Sequence, residues 1–241
     1  MNFKNVPSLQ RYVKKNKKKN IKELKKARLE WLHAFAKNGL SYEIEWMKIP
    51  IIQSSEDIVL MQELIFKVRP DVIIETGIAH GGSLIFYSSL LELLRNGKVI
   101  GVDIDIREHN KKAMEAHPMF KRITLIEGNS TAKTTMDKIK KEIPAGAKVL
   151  VCLDSCHEKK HVLKELELYK DFIKKGSYMV VFDTVTSELA KIGTLDGKYI
   201  NNGPGEAVYD FLAKNKNFKI DKRFNRLYIS TNNDGYLVRV K

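Results

Sequence analysis

Five short and largely apolar runs constrain this chain more than any other feature. Each ends in polar or acidic residues and leads towards a stretch of helical length. The runs are Val72–Ile74, Lys98–Asp103, Arg122–Ile126, Lys148–Leu153 and Ser177–Phe182. Strands without polar alternation are buried on both faces, and their alternation with helices predicts a parallel sheet covered on both sides. The expected helices are Leu84–Leu94, His109–His117, Lys133–Lys141, Lys160–Lys174 and Ala207–Lys214, with Asn96-Gly97, Pro118 and Gly176 as stops. At the end of the chain, Leu227–Ser230 and Tyr236–Val240 read as two strands joined by a tight turn at Asn232-Asn233-Asp234-Gly235. The expected fold class is α/β: a Rossmann-like, doubly wound, mostly parallel sheet with an antiparallel C-terminal hairpin, plus an N-terminal helical region.

Upstream of the sheet, Ser54-Ser55-Glu56-Asp57 predicts a helix start, with acids in the first turn. Ile58, Met61, Leu64, Ile65 and Val68 then recur at helical spacing before Pro70. Residues 1–40 read as a basic helical arm and residues 41–241 as the main domain. The chain carries a formal charge of +14, and residues 1–30 hold eleven Lys and Arg against Glu23 and Glu30. Such an arm either touches an anionic partner or is a solvated helical face. With no aromatic interleaving and no RNA-binding signature, nucleic acid is disfavoured. No apolar run approaches the ~20 residues of a bilayer span, so no transmembrane segment is expected. The basic N-terminus lacks the apolar stretch of a secretory signal, and Cys152 and Cys156 are badly placed for a disulfide, which together favour a cytoplasmic setting. Residues 185–205 lack periodicity, contain Gly193, Gly197, Gly203 and Gly205, and follow the fifth run, so they read as a lid.

In open α/β sheets the ligand lies beyond the carboxyl ends of the strands, where strand order reverses. All five strand ends here are polar: Glu75–Gly82, Asp103–Arg107, Glu127–Ser130, Asp154–His157 and Asp183-Thr184. In the first, Gly77 permits a sharp turn, and Gly81-Gly82 would let backbone approach a ligand closely. The glycine spacing fits neither Gly-x-Gly-x-x-Gly nor a phosphate loop. A carboxylate at Asp103 can accept both hydroxyls of a ribose. Acidic strand ends suit a cationic, phosphate-free ligand such as S-adenosylmethionine (SAM).

Four segments together carry a resemblance. They are Glu75-Thr-Gly-Ile-Ala-His-Gly-Gly-Ser83, Val102-Asp-Ile-Asp-Ile-Arg107, Asp154-Ser-Cys-His157 with His161-Val-Leu-Lys-Glu-Leu166, and Gly176-Ser-Tyr-Met-Val-Val-Phe-Asp-Thr184. In order and content they resemble the cephalosporin hydroxylase family, related to class I SAM-dependent methyltransferases that O-methylate sugars. The resemblance runs from about Pro50 to the C-terminus. It implies a SAM site built from Glu75, Gly77, His80, Gly81, Ser83 and Asp103, with Asn129 or Ser130 flanking the adenine. It implies a divalent metal, Mg2+, held by Asp154 and Asp183, although Phe182 stands where related enzymes often carry a second acid. It implies that His157 is the general base, since a sugar hydroxyl is a poor nucleophile until its proton is removed. The acceptor is expected to be a sugar hydroxyl in polysaccharide or glycan biosynthesis. A metal-independent small-molecule methyltransferase, a SAM-fold nucleic-acid-binding protein and an inactive scaffold remain rival readings. The oligomeric state stays open, a homo-oligomer included.

Overall fold

The computed structural model describes Pro7, Arg11 and residues 21–241; the charge run at residues 12–20 lies outside the described residues. Helix α1 (Ile21–Lys37) leads through a 3-10 turn at Leu40–Glu43 into a short antiparallel pair, β1 (Glu45–Trp46) and β2 (Ile49–Pro50). Helix α2 (Ser55–Val68) starts where its cap motif predicts: Ser54 Oγ accepts from Asp57 N. It stops at Arg69, which takes a left-handed conformation before Pro70.

The alternating region follows in order. It comprises β3 (Val72–Thr76), α3 (Gly82–Leu94), β4 (Lys98–Asp103), α4 (Glu108–Glu115), β5 (Ile123–Glu127), α5 (Lys133–Glu142), β6 (Val149–Leu153), α6 (Lys159–Tyr169) and β7 (Tyr178–Val181). Helices α7 (Thr186–Lys191) and α8 (Pro204–Lys214), then β8 (Phe218–Ile220) and β9 (Tyr236–Arg239), complete the chain. The seven-stranded sheet has the order β5-β4-β3-β6-β7-β9-β8. Strands β3 to β7 pair in parallel, whereas β9 is antiparallel to both β7 and β8.

The sheet is Rossmann-like and mixed, as its apolar runs predict, and both of its faces are covered. On one face Ile73, Val99, Leu150 and Val180 pack with α2 and α3; on the other Ile74, Ile100, Val151 and Met179 pack with α5, α6 and α8. The residues of β3 and β6 are buried throughout, which is why their sequences show no polar alternation.

The C-terminal antiparallel pair is present, but its first strand is not the expected one. Phe218–Ile220 pairs with β9, while Leu227–Ser230 forms no strand. That segment is instead tied to α2 through Ser230 Oγ, Thr231 N and Thr231 Oγ1, all of which donate to the buried Asp57 carboxylate. A buried acid with such partners fixes the backbone by side-chain bonding, and the apolar segment beside it does not then pair as a hairpin. Residues 185–205 contain α7 and a 3-10 turn at Gly197–Tyr199.

Candidate active site

Strand order reverses between β3 and β6, because β4 and β5 lie on one side of β3 and β6 and β7 on the other. The crevice beyond their carboxyl ends is where an open α/β sheet places its ligand. A cavity of about 520 Å³ opens there. Its wall includes Gly77, Ile78, His80 and Ser83 from the first strand end, Asp103 from the second, and Asp154, His157 and Asp183 from the fourth and fifth.

The glycine-rich turn bends sharply at Gly77 and, with Gly77 and Gly82 on the cavity wall, also packs tightly against neighbouring backbone. Gly77 has φ 81°, and a Cβ there would stand 2.2 Å from the carbonyl oxygen of Asp154. A Cβ on Gly82 would stand 2.1 Å from the Pro50 carbonyl oxygen, and one on Gly81 2.1 Å from the Met114 sulfur. These glycines let the chain pack against itself. Gly77 allows β3 and β6 to converge on Asp154, and Gly82 lets the β2 segment lie across the start of α3. Gly81 is not part of the cavity wall.

Glu75 also lies behind the wall. It is fully buried, accepting from Ser83 Oγ at 2.5 Å and from Tyr87 Oη at 2.9 Å. Burial pushes its carboxyl up to about 8, only partly offset by those two hydrogen bonds. Asp103 binds the glycine turn, accepting from Ile78 N at 2.8 Å. His80 Nδ1 lies 3.3 Å from Asn110 Oδ1. Asn129 and Ser130 do not reach the cavity wall. Asn129 closes its own turn by accepting from Thr131 N and Thr131 Oγ1, and buried Ser130 lies 3.1 Å from His161 Nε2.

The acids at the fourth and fifth strand ends converge with the histidine. One donor atom each from Asp154, His157 and Asp183 falls within 4.8 Å of the others, and His157 Nε2 lies 3.7 Å from Asp183 Oδ2. Burial, followed by the neighbouring charges of Asp183 and Glu75, holds the Asp154 carboxyl well above the usual range. Asp154 and Asp183 form a pair of hard oxygen donors whose mutual repulsion a divalent cation relieves, with His157 beside them, so the two acids fit the metal that the resemblance implies.

Two supports hold this cluster. Asp183 has φ 50°, and its N–H donates to Asn232 Oδ1 at 2.8 Å; Asn232 belongs to the loop anchored on Asp57. Ser155 Oγ donates to the buried Glu165 at 2.8 Å, and His161 Nε2 lies 3.5 Å from the same carboxylate. His161 therefore works beneath the site.

Sequence reasoning missed Gln53. It is 6 % exposed and lines the cavity; its amide lies near the Tyr87 hydroxyl, but neither polar atom makes a hydrogen bond of good geometry. Burying an unpaired amide costs about 1–3 kcal/mol, so a cavity ligand with both donor and acceptor groups suits it. No periodicity marks Gln53; its position just before the Ser54 cap is its only sequence signal. Cys152 and Cys156 are both free, Cys152 within the β6 core.

This fold, with a site at the β3–β6 switch point, defines a Rossmann-like methyltransferase class. Residues 38–240 match the sequence model of the rhamnosyl O-methyltransferase/CmcI family. The chain belongs to that family, and so to the SAM-dependent O-methyltransferases. The match begins at residue 38, earlier than the Pro50 boundary expected from the motifs. A rhamnosyl O-methyltransferase of Mycobacterium bovis is 29 % identical over 203 residues, spanning 80 % of this chain and 77 % of that protein. The Mycobacterium leprae rhamnosyl O-methyltransferase is 32 % identical over 143 residues; there the alignment spans 58 % of this chain and 59 % of the relative. A solved structure described as CmcI with magnesium and SAM superposes with a TM-score of 0.59 at 18 % identity, covering 83 % of this chain and 78 % of that one. Among the described residues, no helix is long and apolar enough to cross a membrane.

Proposed function

We propose that the protein transfers a methyl group from SAM to a sugar hydroxyl, with the Asp154–His157–Asp183 cluster as the reacting centre. The observation that carries this reading is the convergence of those three donors at the edge of a switch-point cavity. SAM, when bound, supplies an electrophilic methyl on a cationic sulfur. Asp103, at the end of β4, is placed to accept from ribose hydroxyls. The buried Gln53 amide on the cavity wall offers a donor and an acceptor to the amino-acid end of that ligand. Asp154 and Asp183 would hold a divalent cation, whose chemistry is to acidify a hydroxyl beside it. His157 takes the proton of the acceptor hydroxyl. Orientation in the cavity and the fixed charges around it supply most of the rate. The rhamnosyl O-methyltransferases that the chain resembles support a sugar acceptor. On this reading the protein acts in the cytoplasm, in glycan or polysaccharide assembly. On this reading residues 41–241 form the catalytic domain.

Asp154→Asn and His157→Ala separate the roles. Each is expected to lower turnover by at least about 100-fold, the usual scale for a general base or charge-stabilising group. S-adenosylhomocysteine (SAH) binding should survive in both. Turnover within a few-fold of wild type in either variant contradicts the role assigned to that residue.

A further inference from the structure

Helix α1 (Ile21–Lys37) ends just before residue 38, where the family match begins, so it lies outside the part of the chain that the methyltransferase fold explains. It meets the domain along one side of its C-terminal half. Leu32 is buried against Val185 and Leu189, Arg28 Nη1 lies 2.6 Å from Glu188 Oε2, and His33 Nδ1 lies 2.6 Å from Thr194 Oγ1. Residues 21–27, the first two turns, are exposed throughout.

The exposed surface of the helix divides into two arcs. Leu24, Ala27, Trp31 and Ala34 follow one another at spacings of three and four, which makes one apolar stripe apart from the packed side. Leu24 and Trp31 are 46 % and 48 % exposed, so the stripe is a continuous apolar surface and not a single stray side chain. Lys22, Lys25 and Lys26 project from the opposite arc. The two acids of the helix are Glu23 and Glu30, and Glu30 lies 3.7 Å from Lys26. The segment leading into the helix is strongly basic in sequence: residues 1–30 hold eleven Lys and Arg against those two acids.

We propose that α1 docks on an anionic lipid surface, with Leu24, Ala27 and Trp31 entering the headgroup boundary and the basic charge of residues 1–30 drawing the helix there. Trp and Leu on one face and Lys on the other is the pattern of a helix that lies in a membrane interface. With five Lys and Arg of its own, α1 lies on such a surface and does not cross it. Charge alone would suit any polyanion, and the stripe decides between them. Nucleic acid is held through phosphates and stacked bases, for which Leu24, Ala27 and Ala34 offer nothing, whereas a lipid interface takes up aliphatic and Trp side chains together. A second copy of the chain carries the same +14, which opposes pairing through this segment. Phe35 and Ala36 of the same helix line the cavity, so docking sets the cavity beside the lipid. The docking surface does not depend on what the cavity methylates.

The test is co-sedimentation of the full chain with vesicles of phosphatidylcholine alone and of phosphatidylcholine with about 30 % phosphatidylglycerol, at rising salt. Binding to the anionic vesicles should be at least about tenfold tighter than to the neutral ones, and should weaken as salt screens the charge. Leu24→Ser combined with Trp31→Ser should weaken it by about tenfold or more, and Lys22→Glu combined with Lys25→Glu by about as much. All four side chains are exposed, so the melting temperature and SAH binding should stay as in wild type. Brominated lipid should quench Trp31 fluorescence, while Trp46, packed on Phe86 at 4.7 Å between ring centroids, is spared. The proposal is overturned if neutral and anionic vesicles bind alike, if neither binds, or if the Leu24 and Trp31 changes leave vesicle binding intact. DNA binding that survives those two changes, without vesicle binding, would assign the arm to nucleic acid instead. A dimer that they dissolve, again without vesicle binding, would assign the stripe to a second copy.

Discussion

At the scale of single residues, burial of acids gives the site its character. Glu75 has no cation beside it, and its carboxyl stands at about 8 instead of near 4.5. The folded state then holds a proton that the unfolded chain releases. Its contribution to stability is full below pH ~4.5 and is lost as pH rises through about 8. The unfolding midpoint of the ligand-free protein should fall across that window, and Glu75→Gln should flatten the fall. Thermal scans at half-unit pH steps check this, and an unchanged slope in the variant contradicts it. Asp154 is raised in the same direction by burial and by Asp183, so protons compete with a cation for its carboxylate. Magnesium should raise the melting temperature more at pH 8 than at pH 6. Equal shifts at both values would remove Asp154 from the metal site. Gly77 tests the turn: alanine there meets the Asp154 carbonyl at 2.2 Å in a left-handed conformation. It should cost about 2 kcal/mol or more, read from denaturant titration.

At the scale of elements, the catalytic strand ends are held in place by the loop before β9. Asp57 accepts from Ser54, Ser230 and both the N–H and the hydroxyl of Thr231, and the neighbouring Asn232 fixes the Asp183 backbone. Asp57→Ala leaves these donors unpaired. It should cost about 3–5 kcal/mol, the scale of a broken buried network, and lower turnover through Asp183. Stability within about 1 kcal/mol of wild type would contradict this support. The parallel strands and the α2 cap were legible because burial on both faces and helix capping act locally. The C-terminal pairing was not. Leu227–Ser230 has the composition of a strand, but its partner is a carboxylate more than 170 residues away, and no local pattern reports that. The same limit applies to the glycines. Their spacing announced close approach but not that Pro50 and Asp154 are what approach. That Asp103, Asp154 and Asp183 would face one crevice was legible because strand ends need no acids for packing, whereas His157 was legible only through the family resemblance. Gln53 was not, since its unpaired amide exists only in the folded cavity.

At the scale of the whole molecule, the sheet order creates one switch point, and among the described residues no Lys or Arg lines the cavity beyond it. If the acceptor sugar carries no charge, transfer should respond weakly to ionic strength. We expect kcat/KM to change by less than about twofold between roughly 50 and 500 mM salt, because screening acts on charged partners. A steep fall would mean that an anionic part of the acceptor engages the basic surface. The central claim is that the cavity between the β3 and β6 ends holds SAM, and the most direct measurement is calorimetric titration of the folded protein with SAH in magnesium buffer. The account predicts saturable one-site binding with a Kd of about micromolar, weakened when Asp103 is replaced by Ala. Folded protein that releases no heat and shows no saturation would contradict it.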